Sequence, residues 1–418
     1  MSFESSNTKS PIVNHDLGQN YINSPGALPK RLMSSKSPTK PGFDEASTPA
    51  QPERPPPKHI FEGHGDHIRS VVFLHDNVHI VSSSEDGTMR KWDCETGLLV
   101  GEPWEGEGGR ILALALSPDG KTIACGRDDG SVQRWNTDGE MSEGAWMGHS
   151  DYVRSVSWSP SGSHIASGSS DRKIMIRKAG SGEVEVGPIE TGQDWVYSLA
   201  YSPSGDRIAS GGRNNTICIW DSNTGELLVG PIKHLGAWVK SVVWSSDSSK
   251  LYSASDRSTR VFHSVSGTEL HRFKHNDYVN SIALSPKYNV LACVGYGGIT
   301  QLWDTESYQP LGKPFSPEDS SYYLRCMSFS RDGRYLAYGG DDKRITLWRV
   351  KDIAPELPVC ALITICRGNN LHSRKFNHSP HHLSLKSVLS HPTASFSCSP
   401  VLHTLIPRTL LRDPEVMT

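Results

Sequence analysis

A repeat of about 42 residues runs through the middle of this 418-residue chain. In each copy a large residue closes an alternating segment, and successive closing residues lie 41 to 45 positions apart. A fixed period of this length indicates units that stack on their neighbours and bury a continuous core. Seven copies fit between residues 58 and 350, and their closing residues are Trp92, Trp135, Arg177, Trp220, Phe262, Trp303 and Trp348.

Within each copy, apolar and polar residues alternate in three short segments that are separated by turns rich in Gly, Asp and Ser. Two such segments are SVSWSPSG at residues 155–162 and HIASGSSD at residues 164–171. Strict alternation between turn residues is typical of antiparallel strands that are joined by tight hairpins. The middle of the chain is therefore predicted to be all-β.

Several dipeptides in these copies resemble the signature of WD repeats, whose family fold is a β-propeller of four-stranded blades. They are Gly63-His64, Trp92-Asp93, Gly148-His149, Trp220-Asp221 and Trp303-Asp304. The resemblance implies a seven-bladed propeller of four-stranded antiparallel blades over residues 58–350. It also implies that an N-terminal strand at residues 58–61 closes the ring by completing the last blade.

The connectors between copies add a second resemblance. Thr96-Gly97 to Pro103, Ser181-Gly182 to Pro188 and Thr224-Gly225 to Pro231 share a rhythm that is similar to that of large fungal WD-repeat families, some of which are fused to signalling NTPases. The chain contains no G-x-x-x-x-G-K-[ST] phosphate loop. An attached NTPase domain is therefore not expected.

The two ends of the chain differ from the repeats in composition. Residues 1–57 hold 10 of the 27 Pro and no Trp, and such a segment cannot bury enough apolar surface to fold. We expect a disordered tail at 1–57 and an irregular, weakly structured tail at 351–418. Proline-directed sites in the first tail, Ser37 and Thr48 among them, are candidates for phosphorylation.

Composition excludes several function classes. The formal net charge is −2, so no overall basic field would recruit nucleic acid directly. The eight Cys never form C-x-x-C, which argues against a zinc site and a disulfide framework. No apolar run is long enough for a membrane helix, and Met1 is not followed by a secretory signal. We expect a cytoplasmic or nuclear protein without metal, cofactor or small-molecule substrate.

The family resemblance implies a buried hydrogen-bonded tetrad in each complete repeat. In the first repeat its members are His64, Ser82, Asp86 and Trp92. The same His, Ser and Asp could be interpreted as a catalytic triad, but recurrence in other copies favours a structural role. Other copies depart from the pattern: Arg177 replaces a Trp and predicts a frayed third strand, and Gly192 replaces a His in the fourth copy.

In this family the first strand of each blade begins with a bulge whose two outward residues flank a buried aliphatic residue and face the narrow end of the ring. Here the pairs are His67/Arg69, Arg110/Leu112, Tyr152/Arg154, Trp195/Tyr197, Trp238/Lys240, Tyr278/Asn280 and Tyr323/Arg325. The turn positions that join them are Glu85, Asp128, Ser170, Arg213, Ser255, Tyr296 and Asp341.

These positions are rich in Trp, Tyr and Arg, which dominate binding hot spots. They carry six basic and three acidic residues, whereas residues 58–352 carry 31 basic and 37 acidic ones. The sequence therefore predicts a non-enzymatic scaffold within a multiprotein complex that binds acidic or phosphorylated proteins or peptides at Arg69, Arg110, Tyr152, Arg154, Trp195, Tyr197, Arg213, Trp238, Lys240, Tyr278, Tyr323 and Arg325.

Three alternatives to this interpretation stay open at the level of sequence. The aromatic residues could simply cover the start of each first strand. Trp195, Tyr197, Trp238 and Tyr278 could instead form an aromatic cage for a methylated lysine. A propeller hydrolase is a third alternative, although the chain has no H-E-x-x-H and no G-x-S-x-G motif.

Overall fold

A computed structural model describes residues 56–106, 108–142, 144–233, 235–287, 289–315 and 322–357. The predicted tails, with Ser37 and Thr48, lie outside the described residues, apart from their few residues next to the propeller. The described chain forms seven antiparallel sheets, six of them four-stranded, arranged as the blades of a propeller. The predicted seven-bladed WD-repeat fold is confirmed.

Strand β1 (His59–Phe61) precedes the first blade, and the next three blades follow in chain order. Blade 1 holds β2 (Ile68–Phe73), β3 (His79–Ser84), β4 (Thr88–Asp93) and β5 (Trp104–Glu105). Blade 2 holds β6 (Ile111–Leu116), β7 (Thr122–Arg127) and β8 (Val132–Asn136). Blade 3 holds β9 (Val153–Trp158), β10 (His164–Ser169), β11 (Lys173–Lys178) and β12 (Val184–Glu190).

The remaining blades repeat this order. Blade 4 holds β13 (Val196–Tyr201), β14 (Arg207–Gly212), β15 (Ile217–Asp221) and β16 (Leu227–Ile232). Blade 5 holds β17 (Ser241–Trp244), β18 (Lys250–Ser255), β19 (Ser258–His263) and β20 (Glu269–Lys274). Blade 6 holds β21 (Val279–Leu284), β22 (Val290–Gly295), the short 3-10 helix Tyr296–Gly298, β23 (Thr300–Asp304) and β24 (Pro310–Phe315). Blade 7 holds β25 (Leu324–Phe329), β26 (Tyr335–Gly340) and β27 (Ile345–Arg349), and helix α1 (Val350–Ile353) follows.

Two blades differ from this plan at their outer edge. Blade 2 has three strands, and the segment that follows β8 meets it only through isolated bridges of Val132 to Trp146 and Trp135 to Met141. Blade 7 takes its outer strand from the start of the chain, because β1 pairs antiparallel with β27. The N-terminal closing strand predicted from the sequence is therefore present.

The core lies between neighbouring blades. Ala166 and Ile176 of blade 3, for example, belong to one buried cluster with Val196 and Ile208 of blade 4. Hydroxyl groups near the axis add a polar connection between blades, since the Ser155 Oγ accepts the Leu199 amide of the next blade at 2.9 Å. Each blade is thus held by both of its neighbours rather than by a core of its own.

The tetrad of the first repeat is assembled and buried. The Nδ1 of His64 donates to the Asp86 carboxylate at 2.8 Å, its Nε2 pairs with the Ser82 hydroxyl at 2.8 Å, and the Trp92 indole donates to the same hydroxyl at 2.8 Å. Ser82 is fully buried. The equivalent His149 bonds Asp171 and Ser167 at 2.8 and 2.9 Å in blade 3.

The expectation of a frayed third strand at Arg177 was wrong. Strand β11 pairs with β10 and with β12, and Arg177 is only 5% exposed. Its guanidinium donates to the carbonyl oxygens of Gly182 at 2.9 Å and Met147 at 2.8 Å. Backbone carbonyls therefore accept from both terminal nitrogens of a buried cation that the sequence left without an evident partner, while its Nε has no hydrogen-bond partner among the described residues.

Blade 4 has a hydrogen-bonded network that the sequence did not predict, because Gly192 occupies the position of the histidine in this repeat. The neighbouring Gln193 is buried, and its Oε1 accepts from the Ser210 hydroxyl at 2.9 Å. The same hydroxyl accepts from the Trp220 indole at 2.9 Å. Gln193 thus takes the place of the histidine, shifted by one residue.

The packed body continues past residue 350. Val350, Ile353 and Ala354 are buried in one cluster with residues of blades 6 and 7, such as Phe315. Helix α1 therefore covers the outer end of the closing blades. All five described cysteines are free and buried, which agrees with the absence of a disulfide framework.

Ring closure should be sensitive to a single side chain. Phe61 of β1 is 1% exposed and lies 5.4 Å from the Trp92 ring between centroids, whereas Ile60 on the opposite face is 47% exposed. We expect Phe61→Ala to lower the free energy of unfolding by about 3–5 kcal/mol because it leaves a cavity between the first and last blades. Ile60→Ala should cost at most about 1 kcal/mol. Urea denaturation of both variants measures this, and equal costs would contradict the closing role of β1.

Loss of one tetrad member should act on stability. Asp86→Ala leaves the buried His64 without its acceptor and should lower the free energy of unfolding by about 1–3 kcal/mol. Asp138→Ala is a matched control, because the Asp138 side chain is 82% exposed and we expect a change within about 0.5 kcal/mol. Thermal unfolding monitored by tryptophan fluorescence compares the two, and an unchanged Asp86→Ala variant would argue against a structural tetrad.

Candidate functional site

A backbone irregularity at the start of the first strand positions the candidate site. In six blades the pairing register between the first two strands shifts by one residue there, for example between Ile68 and Ser70 and between Val196 and Ser198. An extra residue bends a strand and turns its neighbours away from the regular alternation. The flanked aliphatic residues Ile68, Val153 and Val196 are fully buried. The predicted bulge is therefore present in six blades, whereas β17 and β18 of blade 5 pair without a register shift.

The two members of each bulge pair occupy different places. The second members line one axial cavity of about 410 Å³, which we call the channel. The channel residues are Arg69, Leu112, Arg154, Tyr197, Lys240, Asn280 and Arg325. The seven first members form what we call the rim: His67, Arg110, Tyr152, Trp195, Trp238, Tyr278 and Tyr323. Of these, only Trp238 also lines the channel.

Five residues from blades 3 to 5 form a continuous stack, which we call the aromatic patch. The Arg154 guanidinium lies 4.6 Å from the Trp195 ring centroid, and the Arg213 guanidinium lies 4.1 Å from the centroid of the same ring. The Tyr197 ring meets Trp195 edge-on at 5.8 Å and stacks on Trp238 at 5.7 Å. Trp238 remains 40% exposed. Arginine and aromatic rings thus alternate across three blades, held by cation–π contacts.

Arg110 extends this arrangement toward blade 1. It donates to the Tyr152 hydroxyl at 2.8 Å and to the Asp128 carboxylate at 2.9 Å. Hydrogen bonding to Asp128 raises the pKa of Arg110 above its ordinary value. A guanidinium fixed in this way by a carboxylate has less charge to offer a ligand than one held only by aromatic rings.

The channel cations are partnered unequally. Arg69 is ion-paired with Glu85, and Arg325 is ion-paired with Asp341. Arg154 donates to the Ser170 hydroxyl, and Lys240 donates to the Asn280 side-chain oxygen at 2.7 Å. Within the described residues, neither Arg154 nor Lys240 forms an ion pair.

Two predicted site residues lie apart from the aromatic patch. Tyr278 has the Arg257 guanidinium 5.4 Å from its ring centroid, and Tyr323 packs against Tyr296 at 4.6 Å. Both tyrosines are more than 40% exposed. The sequence missed Arg257, which lies two residues beyond a turn position and carries no signal of its own.

A regular spacing links the channel to the turns. The bonded pairs Arg69–Glu85, Arg154–Ser170 and Arg325–Asp341 are each separated by 16 residues. This separation recurs because the bulge and the following turn lie at the same end of adjacent strands in every blade. The same spacing in the sequence could have identified these partners.

One group of candidate metal ligands lies at this end of the ring. Asp66, His67 and Glu85 form a group of candidate metal ligands among the described residues, but the Glu85 carboxylate already pairs with Arg69 and Arg110. The helices that the structure describes are single turns, and none is long and apolar enough to cross a membrane.

Lys240 should destabilise the folded protein. Burial, with the nearby Arg325 and Arg69, lowers the pKa of Lys240 to about 8. The folded state therefore disfavours the ammonium, and stability should rise with pH from about 8 to about 10.5, the ordinary lysine value. We expect Lys240→Met to raise the melting temperature at pH 7, with a gain that shrinks as pH approaches about 10.5. Calorimetry at several pH values measures it, and a variant that melts lower at pH 7 would contradict the assignment.

Comparisons with known proteins place this geometry in a family. The model of the WD domain, G-beta repeat, matches seven segments at residues 55–93, 100–136, 142–177, 187–221, 229–263, 267–304 and 313–349. Each segment covers the first three strands of one blade together with the stretch that precedes them, so that β5, for example, falls in the second segment although it belongs to blade 1.

Three curated relatives match over shorter stretches. Small ribosomal subunit protein RACK1 of Drosophila melanogaster is 33% identical over 92 residues, 20% of this chain and 28% of the relative. Small ribosomal subunit protein RACK1z of Oryza sativa subsp. japonica is 32% identical over 91 residues, 20% of this chain and 26% of the relative. THO complex subunit 6 of Arabidopsis thaliana is 46% identical over 43 residues, 10% of this chain and 12% of the relative.

The chain thus matches no more than 28% of the length of any of these three relatives. The family matches, by contrast, cover more than half of the chain and every blade. The chain belongs to the WD domain, G-beta repeat family.

Proposed function

We propose that this protein is a non-enzymatic interaction scaffold that binds acidic or phosphorylated segments of partner proteins at the aromatic patch. The observation that carries the proposal is the stack of Arg154, Trp195, Arg213 and Trp238 at the rim. Large aromatic residues and arginine supply most of the binding free energy at protein interfaces, because they bury much surface at little cost in side-chain freedom.

The charge of the patch favours an acidic partner. Within the described residues, Arg154 and Arg213 form no ion pair, so their charge is not neutralised by a carboxylate of the chain. Their planar groups rest on aromatic faces, and a guanidinium held in this way keeps its N–H edge for a carboxylate or phosphate. Arg110 lies next to the patch through Tyr152 and would steer such a segment toward it.

An enzymatic function has less support. The His64, Ser82 and Asp86 side chains have the contacts of a hydrolytic triad, but the hydroxyl of Ser82 is buried and already engaged by Trp92. A nucleophile needs a path to substrate and a free site for the reacting atom. A second copy of the same arrangement in blade 3 is the pattern of a repeated structural element.

A methyl-lysine reader is the second candidate, and the contacts of the patch weigh against it. An aromatic cage attracts a ligand cation to the faces of its rings. Here Arg154 and Arg213 already lie over Trp195, and Arg213 also lies 5.1 Å from the Trp238 centroid. The ring faces thus hold cations of the chain itself, which would repel a methylated lysine.

The relatives fit a role inside an assembly. Their names describe subunits of a ribosomal particle and of the THO complex. By analogy, this chain would act within a multiprotein complex of the cytoplasm or nucleus, and the other positions of the rim offer room for further partners. Analogy at the level of the fold does not identify those partners.

The test uses the full chain and three matched peptide pools with acidic flanks, carrying phosphoserine, serine or trimethyl-lysine at the centre. Fluorescence anisotropy should show the tightest binding for phosphoserine. Trp195→Ala and Arg154→Ala should each weaken it by about thirtyfold, or about 2 kcal/mol. Added salt should weaken it too, since exposed charges are screened over about 8 Å at physiological ionic strength.

Leu228→Ala is the matched control, because Leu228 is a large exposed residue, 49% accessible, on the outer strand of the same blade as Trp195. It should bind as the unaltered chain does. Tightest binding of the trimethyl-lysine pool would favour the reader instead. Unchanged affinity of the Arg154→Ala, Trp195→Ala double variant would place partner binding elsewhere.

A further inference from the structure

The channel concentrates positive charge on the propeller axis. Four of its seven channel residues are cations, Arg69, Arg154, Lys240 and Arg325, and they come from blades 1, 3, 5 and 7. No carboxylate lines the cavity. This arrangement does not serve the core, because neutral side chains occupy the equivalent position in the other three blades: Leu112, Tyr197 and Asn280.

The charge is only half neutralised by the described residues. Glu85 and Asp341, which lie just outside the lining, pair with Arg69 and Arg325. Arg154 and Lys240 have only neutral hydrogen-bond partners, Ser170 and Asn280. Four cations against two carboxylates leave an excess of two positive charges at the cavity.

The cations act on one another through the protein. Burial and the charge of Arg325 lower the pKa of Arg69, and burial followed by Arg325 and Arg69 lowers that of Lys240. The Nε of Arg69 is also buried without a hydrogen-bond partner among the described residues. Neighbouring cations with an unsatisfied hydrogen-bond donor lower the stability of the folded protein unless an anion binds to them.

The lining also offers neutral donors. The hydroxyl oxygens of Ser198 and Ser241 accept the amides of Val242 at 3.0 Å and Ile282 at 3.3 Å from the next blade. Because each oxygen accepts from the backbone, its own hydrogen is left to donate. Both serines line the cavity. Hydroxyl and guanidinium donors together form the surroundings that oxyanions prefer.

We propose that the channel is a binding site for the dianionic phosphate group of a small free phosphate or phosphate monoester. Two uncompensated positive charges match the charge of the group, and a volume of about 410 Å³ accommodates it with a small substituent. The site shares Arg154, Tyr197 and Trp238 with the aromatic patch, but Trp195 does not line the cavity, whereas Lys240 does. The inference does not rest on that function.

The test is isothermal titration calorimetry of the full chain with inorganic phosphate and, separately, pyrophosphate in chloride buffer. The unaltered chain should bind phosphate with a stoichiometry of one. Lys240→Met should weaken binding by about tenfold or more, because it removes a channel cation that has no ion-pair partner among the described residues, while Lys240→Arg should retain most of it. Lys121→Met is the control, since Lys121 is exposed in the turn at the opposite end of β6 and β7. It should leave binding unchanged.

Affinity should also fall between about pH 7.5 and about pH 9.5, as Lys240 loses its proton. The groups that face its ammonium are Arg69, Arg325, Asp341 and Asn280. The fall should be absent in Lys240→Met. No phosphate binding by the unaltered chain, or equal binding by Lys240→Met, would overturn the proposal.

One further comparison distinguishes free phosphate from a phosphorylated partner segment as the ligand of the channel. It also distinguishes failure of this proposal from failure of the proposed function. Trp195→Ala should keep its affinity for free phosphate and lose affinity for the phosphoserine pool. If free phosphate does not bind but the phosphoserine pool does, and Lys240→Met abolishes that binding, the channel receives its phosphate from the partner segment and the free-ligand proposal is wrong. If phosphate binds and the peptide pools do not, only the proposed scaffold function is contradicted.

Discussion

Pairing of β1 with β27 is the contact on which the rest of the ring depends. Each blade buries apolar residues on both faces against its neighbours, so an open ring would leave two such faces in water. Phe61 joins blades 1 and 7 in a single buried cluster with Trp92 and Leu347. Polar contacts cross the same junction, because the Lys343 ammonium donates to the Gly65 carbonyl at 2.6 Å and the Tyr335 hydroxyl donates to Glu95 at 2.6 Å.

Ring closure fixes the geometry of the axis, and the bulge at the start of the first strand in six of the blades positions the side chains that face the axis. One backbone irregularity buries an aliphatic residue, such as Val153, and turns the next residue, Arg154, toward the channel. The residue before it, Tyr152, lies at the rim. Structure and binding surface therefore depend on the same local feature, and a change in either outer residue need not disturb the buried one between them.

The inward-facing cations of the propeller differ in their partners. The terminal nitrogens of Arg177 donate to two backbone carbonyls, so this side chain contributes to the fold. Arg154 is held by a serine and by aromatic rings, and Lys240 by an amide, so their charge remains uncompensated. Like charges that are crowded around the channel without a counter-charge cost stability, which natural proteins tend to accept where function requires it.

The sequence by itself determined the number of repeats, because period and alternation are local properties of the chain, and its resemblance to WD repeats predicted the closing strand and the bulge positions. It also determined that these positions are rich in arginine and aromatic residues. It could not show that Gln193 replaces a histidine or that β11 is paired on both sides at Arg177, since both depend on partners that are close only after the chain folds. Above all, only the tertiary structure decided which bulge residues meet: Arg69, Arg154, Lys240 and Arg325 are far apart in sequence, and ring closure brings them around one cavity because each blade directs the same strand position toward a common axis.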